Sequence, residues 1–360
     1  MSKRIAAIVG LLVALGATAA VAIALWPDRG GGDDPGAAVA SGGDPEMAQR
    51  EAPRADGIPG NAPVRTASTD EVEGIVPAVD TRFSLESASS PLPVKMRMKR
   101  SPAAGVLFDV DSGEILWQSR ARKERPIASL TKMMTALLIA ERDPPSDRVT
   151  ISAKAAHTPG SATGILPAGR AVPLQPLLKA LIMISANDAA VALAEHDSGS
   201  TARFVRRMNE RARAMGLSCT RFSTPNGLKD RDNASCAVDL GALARADLAN
   251  PRIARIARTQ YSKPRFPIKG HRMHLANNHY FLARGIAGVP GARVTGLKTG
   301  WTDGAGRCYV TTAELGDRHL GVVLLDSPDP LRQVPALLRA GFVEVGSLPA
   351  TPRAARAASP

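Results

Sequence analysis

Cysteine is scarce in this chain, three in 360 residues, and no C-x-x-C pair, H-E-x-x-H or histidine cluster offers metal-ligand spacing. No metal or other cofactor is therefore expected. Aromatic residues make up 4% of the chain and do not interleave with basic residues, as a nucleic-acid stacking surface would require, so nucleic acid is discounted as a partner. No G-x-S-x-G elbow surrounds any serine. His157, His196, His271, His274, His279 and His319 consequently read as surface or structural residues. Internal repeats are absent, and acidic residues are outnumbered by basic ones, 33 to 46, for a formal net charge of +13. The lysines and arginines are scattered rather than blocked, which reads as a solvated basic surface; a polyanion is permitted as partner without being named.

What is present begins with Lys3 and Arg4 ahead of an uncharged apolar run from Ile5 to Trp26, closed by Pro27, Asp28 and Arg29. The run is long enough to cross a bilayer. Ala20-Val21-Ala22 and Ala22-Ile23-Ala24 would also serve as small-residue cleavage sites, so residues 1–27 read as a membrane anchor or a signal peptide. Either one exports the remainder. Residues 28–95, rich in Gly, Pro, Ala, Asp and Ser, show no sustained periodicity and read as a disordered tether. Folded character is expected over 96–347, a length that suits one α/β domain, with a disordered tail at 348–360. Cys219 and Cys236 are near enough in sequence to pair in an oxidising compartment, or to stay buried thiols, with Cys308 left over.

Gly105 to Val110 and Glu114 to Gln118 predict a hairpin across Asp111-Ser112-Gly113. Met133, Met134, Leu137 and Leu138 recur at helical spacing and Pro144 and Pro145 end the run, which puts Ser129 at a helix N-terminus. Further helices are expected from Leu174 to Ile182, from Ala189 to Glu195 and from Leu331 to Leu338. Cys308 to Ala313 and His319 to Asp326 read as strands joined at Glu314 to Arg318, with Lys298-Thr299-Gly300 on the neighbouring edge strand. Strands at both ends enclosing a helical middle predict one sheet assembled from the two termini.

Ser129-Leu130-Thr131-Lys132 is the one S-x-x-K in the chain. On a helix, i and i+3 share a face, so the amine can take the hydroxyl's proton if its pKa is lowered, and the helix N-terminus favours the charge that develops in acyl transfer. Ser185-x-Asn187 follows, on its own no more than a helix start, and then Lys298-Thr299-Gly300. That ordered set is the one of penicillin-binding proteins and β-lactamases.

With Ile127-Ala-Ser-Leu-Thr-Lys-Met-Met-Thr-Ala, Ser185-Ala-Asn-Asp-Ala-Ala-Val-Ala-Leu-Ala-Glu, Met208-Asn209, Thr220-Arg-Phe, Asn226-Gly-Leu and Lys298-Thr-Gly-Trp-Thr-Asp-Gly-Ala-Gly in order, the sequence resembles the D-alanyl-D-alanine carboxypeptidase and endopeptidase family of low-molecular-mass penicillin-binding proteins (peptidase S11 type) over about Ala103 to Val345. The resemblance implies a serine β-lactamase/transpeptidase-like α/β fold, with an antiparallel sheet built from both ends of the domain, flanking helices and a mainly helical subdomain; the second C-terminal β domain of several relatives is not expected here, since the folded pattern fades after about Ser347. It implies Ser129 as acylated nucleophile, Lys132 as its base and Ser185 as proton relay. Asn187 would hold the substrate amide, Lys298 and Thr299 the terminal carboxylate, and Gly300 would let substrate backbone lie against the strand. The backbone N–H groups of Ser129 and Trp301 would form the oxyanion hole.

The partners implied are peptidoglycan stem peptides ending in D-Ala-D-Ala, β-lactams as covalent inhibitors, and a membrane through the N-terminal segment. Carboxypeptidase action is the first expectation and crosslink-cutting endopeptidase action the alternative. A β-lactamase would need an E-x-x-L-N segment between Asn187 and Lys298, which is lacking. A non-catalytic wall-binding protein would be expected to have lost one of the six motif side chains. Two departures stand out: Ile127-Ala128 replaces the Pro-Ala that often precedes the family's serine, and the chain closes soon after Val345, where relatives continue.

Overall fold

The computed structural model describes residues 79–228, 232–268 and 270–350. The apolar run at 5–26, the tether up to residue 78 and the tail from 351 lie outside them. Among the described residues, no helix is long and apolar enough to cross a membrane.

Two antiparallel strands, β1 (Ala104–Asp109) and β2 (Ile115–Ser119), form the expected hairpin, with Gly113 at φ +84° in its turn. The other three sheet strands are β3 (Arg293–Thr302), β4 (Gly306–Leu315) and β5 (Arg318–Leu325). Spatial order is β2-β1-β5-β4-β3, antiparallel throughout, so the two ends of the domain meet where β1 pairs with β5, Val106 opposite Val323. β1 is buried along its whole length, which is why Val106 to Phe108 reads as a continuous apolar run rather than an alternating one. Phe108 sits across from Gly321, where a Cβ would stand 2.3 Å from the phenyl ring, so the glycine makes room for the ring.

The helices, in chain order, are α1 (Lys132–Arg142), α2 (Leu174–Met183), α3 (Asn187–Ser198), α4 (Thr201–Ala214), α5 (Ala237–Ala249), α6 (Pro251–Ala257) and α7 (Pro330–Glu344). α7 starts at an Asp329 cap followed by Pro330, and its Val334, Leu337, Leu338 and Phe342 cover one sheet face with Leu107, Leu320 and Leu324. The opposite face packs on α5 and the helical middle through Phe108, Val323 and Leu325.

Three helices, α4, α5 and α6, go beyond the sequence expectation. α5 is buried nearly all round, from Ala237 to Asp247, so it presents no polar stripe from which a period could be read. α4 buries Phe204, Met208 and Ala212, four apart, and carries its charges, five arginines and Glu210, on the remaining positions. The folded part also starts earlier than composition suggests. Leu85 is buried against Gly241, and the backbone of Glu86 and Val94 bonds to the β2 region through Gly113, Ile115 and Leu116. A boundary at residue 95 thus falls inside the packed unit, because backbone bonds with two apolar anchors leave no periodic signature. Cys219 and Cys236 form a disulfide, their Cα atoms 5.6 Å apart, and Cys308 is buried outside it.

Candidate active site

Ser129 lies in a 3₁₀ turn, Ala128–Thr131, one turn ahead of α1, whose first residue is Lys132. The sequence put the serine at the helix N-terminus, and that first turn is 3₁₀. The tighter turn keeps the consequence, because positions i and i+3 eclipse in a 3₁₀ segment and bring hydroxyl and amine together. Lys132 Nζ is 2.9 Å from Ser129 Oγ and donates to the carbonyl of Asn226 at 2.6 Å. The segment 224–227 packs beneath the turn, where a Cβ on Gly227, at φ +80°, would lie 2.0 Å from the Ala128 carbonyl oxygen; Thr135 Oγ1 donates to Pro225 at 2.7 Å.

Lys132 is 1% exposed. Burial holds its amine well below the usual lysine range, and the charge on Lys298 lowers it further while Asp188 opposes. A neutral amine at this distance can donate one N–H to Asn226 and turn its lone pair to the serine hydroxyl, which is the arrangement a base requires.

Ser185 and Asn187 frame the start of α3. Ser185 does not cap the helix: it takes φ +62°, rare for a residue with a side chain, and its buried hydroxyl has no hydrogen-bond partner among the described residues. Asn187 Nδ2 donates to the Pro159 carbonyl at 3.0 Å, leaving a buried Oδ1 unpartnered and able to accept an amide N–H. Asp188 fixes the corner, fully buried, accepting from Thr163 N at 2.8 Å, Thr163 Oγ1 at 2.5 Å, Gly164 N at 3.1 Å and Ala189 N at 2.8 Å.

Lys298, Thr299 and Gly300 lie in the middle of β3, the sheet's edge strand, as expected. Gly300 presses on the serine turn: a Cβ there would stand 2.9 Å from Ser129 N and 3.2 Å from Ala128 Cβ. The turn and the edge strand therefore meet backbone to backbone, with Trp301 the next residue along. Lys298 donates to Thr299 O at 2.7 Å and is pushed down to about 7 by burial. His279 lies behind β4, its Nε2 3.3 Å from the Val310 carbonyl and 3.2 Å from Thr311 Oγ1, and burial, with the nearby Lys298 charge, draws it to about 4. It is a buried neutral histidine rather than a surface one.

The fold thus brings the serine turn and Lys132 against the Lys298–Gly300 strand, and the charge of Asp188, next to Asn187, reaches Lys132. Motif reading missed the Asn226 carbonyl, Gly227 and Asp188, since a backbone acceptor leaves no side-chain signature beyond the Asn-Gly turn signal.

A family model described as D-alanyl-D-alanine carboxypeptidase, of peptidase family S11, matches residues 94–329. The chain belongs to this family. Of its relatives, the D-alanyl-D-alanine carboxypeptidase DacF of Bacillus subtilis is 33% identical over 63% of this chain and 58% of its own length. The D-alanyl-D-alanine endopeptidase of Pseudomonas aeruginosa is 27% identical over 75% of this chain and 87% of its own. Among solved structures, a D-alanyl-D-alanine carboxypeptidase from Mycobacterium tuberculosis superposes with a TM-score of 0.63 at 29% identity, covering 69% of this chain and 94% of that one. The chain spans less than two thirds of the DacF length, and its fold is the penicillin-binding, β-lactamase-like type expected of an S11 peptidase.

Proposed function

We propose that the chain is a serine-type D-Ala-D-Ala carboxypeptidase that cleaves peptidoglycan stem peptides through an acyl-enzyme on Ser129 and is acylated by β-lactams. The observation that carries this reading is the buried Lys132 at 2.9 Å from the Ser129 hydroxyl, its amine held well below the usual lysine range by burial. Ser129 Oγ attacks the carbonyl of the penultimate D-Ala while its proton passes to Lys132. The N–H groups of Ser129 and Trp301 hold the tetrahedral oxyanion. The C–N bond breaks, and the leaving D-Ala amine takes the proton from Lys132 by way of Ser185. Water then attacks the ester, gives its proton back through Lys132 to Ser129, and releases the shortened stem. Asn187 holds the stem amide, Lys298 and Thr299 the terminal carboxylate, and Gly300 leaves room for the substrate backbone beside the strand.

Residues 1–27 would carry this domain outside the cytoplasm as an N-terminal anchor or a cleaved signal, with 28–78 as tether; the disulfide, which persists in oxidising compartments, supports export. A second reading, cleavage of crosslinks between stems, is favoured by the larger share of the P. aeruginosa endopeptidase that the chain covers. The deciding test is incubation of wild type and Ser129→Ala with a fluorescent penicillin and with a D-Ala-D-Ala pentapeptide stem. A stable adduct and released D-Ala, both lost in Ser129→Ala, are expected. An adduct without D-Ala release moves the assignment to endopeptidase, and no adduct ends the enzymatic reading.

A further inference from the structure

A cavity of about 610 Å³ opens where the ends of β2, β3 and β5 and the start of β4 gather, walled by Arg100, Arg120, Trp301, Arg307, Asp326 and Ser327. Its wall is strongly basic. The carboxylate of Asp326 is held by Arg125 at 2.5 Å, whereas among the described residues Arg100, Arg120 and Arg307 are in no ion pair. Arg120 donates to Pro102 O at 2.8 Å and Arg307 to Pro328 O at 3.4 Å, contacts that direct the side chains without neutralising them. All three are exposed. Three uncompensated guanidiniums around one opening repel one another, and a bound carboxylate relieves that repulsion through charge-assisted, two-pronged hydrogen bonds.

The direction of the substrate leads to this cavity. With the terminal carboxylate at Lys298 and Thr299 and the scissile carbonyl at Trp301 N, the substrate runs along β3 from its C-terminus toward its N-terminus as the strand numbers rise. Residues ahead of the scissile bond therefore continue past Trp301, each extended residue adding about 3.3 Å. Trp301 itself lines the cavity, and Arg307 is the β4 residue paired with it in the register, one strand inward from the edge.

We propose that this arginine cavity is a specificity subsite for a free carboxylate on the stem residue that precedes the D-alanyl pair, selecting stems whose diamino acid carries a side-chain carboxylate over stems carrying lysine. The proposal rests on the carboxypeptidase reading. A lysine side chain in the same place would meet like charge, so the subsite discriminates by repulsion as well as attraction.

The test compares kcat/KM for two synthetic peptides, N-acetyl-X-D-Ala-D-Ala with X either diaminopimelate or L-lysine, in wild type, Arg307→Gln, Arg307→Lys and Arg100→Gln. Wild type is expected to favour the carboxylate peptide by roughly tenfold or more, the scale of a charge-assisted hydrogen bond. The preference is expected to shrink toward one in Arg307→Gln and Arg100→Gln, to recover in part in Arg307→Lys, and to narrow with added salt. Labelling by a fluorescent penicillin reads Ser129 chemistry separately. Equal rates on the two peptides with labelling intact, or equal losses on both in the variants, overturn the subsite and leave the peptidase reading standing. Loss of labelling together with D-Ala release from both peptides overturns both.

Discussion

Lys132 and Lys298 are each buried and close enough that the charge on Lys298 lowers Lys132. Lys132, held well below the usual lysine range by burial and by that charge, is the amine disposed to accept a proton. Lys298, at about 7, is half charged in the empty site at neutral pH, and its charged form is the one that binds a carboxylate. As pH rises through about 7 the proton leaves Lys298, so kcat/KM for a D-Ala-D-Ala substrate is expected to fall on the alkaline side. A substrate ending in D-alaninamide gives it no partner and should lack that limb; pH profiles on the two substrates check the assignment, and a shared limb would move it to another group. Asp188 acts at the same scale, through its hydrogen bonds as well as its charge. Asp188→Ala removes the acceptor of the part-buried donors of Thr163 and Gly164, with an expected loss of roughly 1–3 kcal/mol in urea unfolding and a further loss of acylation rate as the Ser185 corner loosens.

The site is built at element ends and edges. β3 lies against the serine turn at a spacing that admits no Cβ, since the nearest atoms to a side chain at Gly300 are backbone and Ala128 Cβ. Gly300→Ala is therefore expected to push β3 from the turn and lower the rate of acylation by penicillin by about 100-fold, the scale of a 1 Å misplacement, with the circular dichroism spectrum unchanged. At the other ends of α1 and α3, Asp143, Asp147 and His196 cluster. Burial, and after it the charge of Asp197, raises Asp143 to about 6. A carboxyl raised in the folded state contributes stability fully below its unfolded pKa near 3.8 and loses that contribution as pH rises through about 6. The melting temperature of Asp143→Asn is thus expected to gain on wild type between pH 5 and pH 8, and a constant difference over that range would refute the assignment.

Across the whole molecule, the disulfide closes the stretch from Cys219 to Cys236 that contains Pro225, Asn226 and Gly227, the support of Lys132. Bridging a loop of 17 residues is worth about 3 kcal/mol through the unfolded state. The Cys219→Ala/Cys236→Ala pair should lower the urea unfolding free energy by about that much, and wild type in reductant should fall to the level of the variant. Equal midpoints for wild type with and without reductant would show that the bridge contributes nothing.

The sequence by itself determined the candidate site residues, because Ser129, Lys132, Ser185, Asn187, Lys298 and Thr299 each stand in a local pattern that is legible without knowledge of the fold. It determined the hairpin, the closing strands and the edge position of Lys298 to Gly300 for a similar reason: apolar runs and turn residues act over a few positions. The tertiary structure decided what depends on distant segments meeting. The lowered amines of Lys132 and Lys298 come from burial, the anchoring of Lys132 from a backbone carbonyl 94 residues away, and helix α5 from being enclosed on every side, which erases its period. The arginines at 100, 120 and 307 look scattered along the chain, and they become one surface because the sheet brings the ends of its strands together.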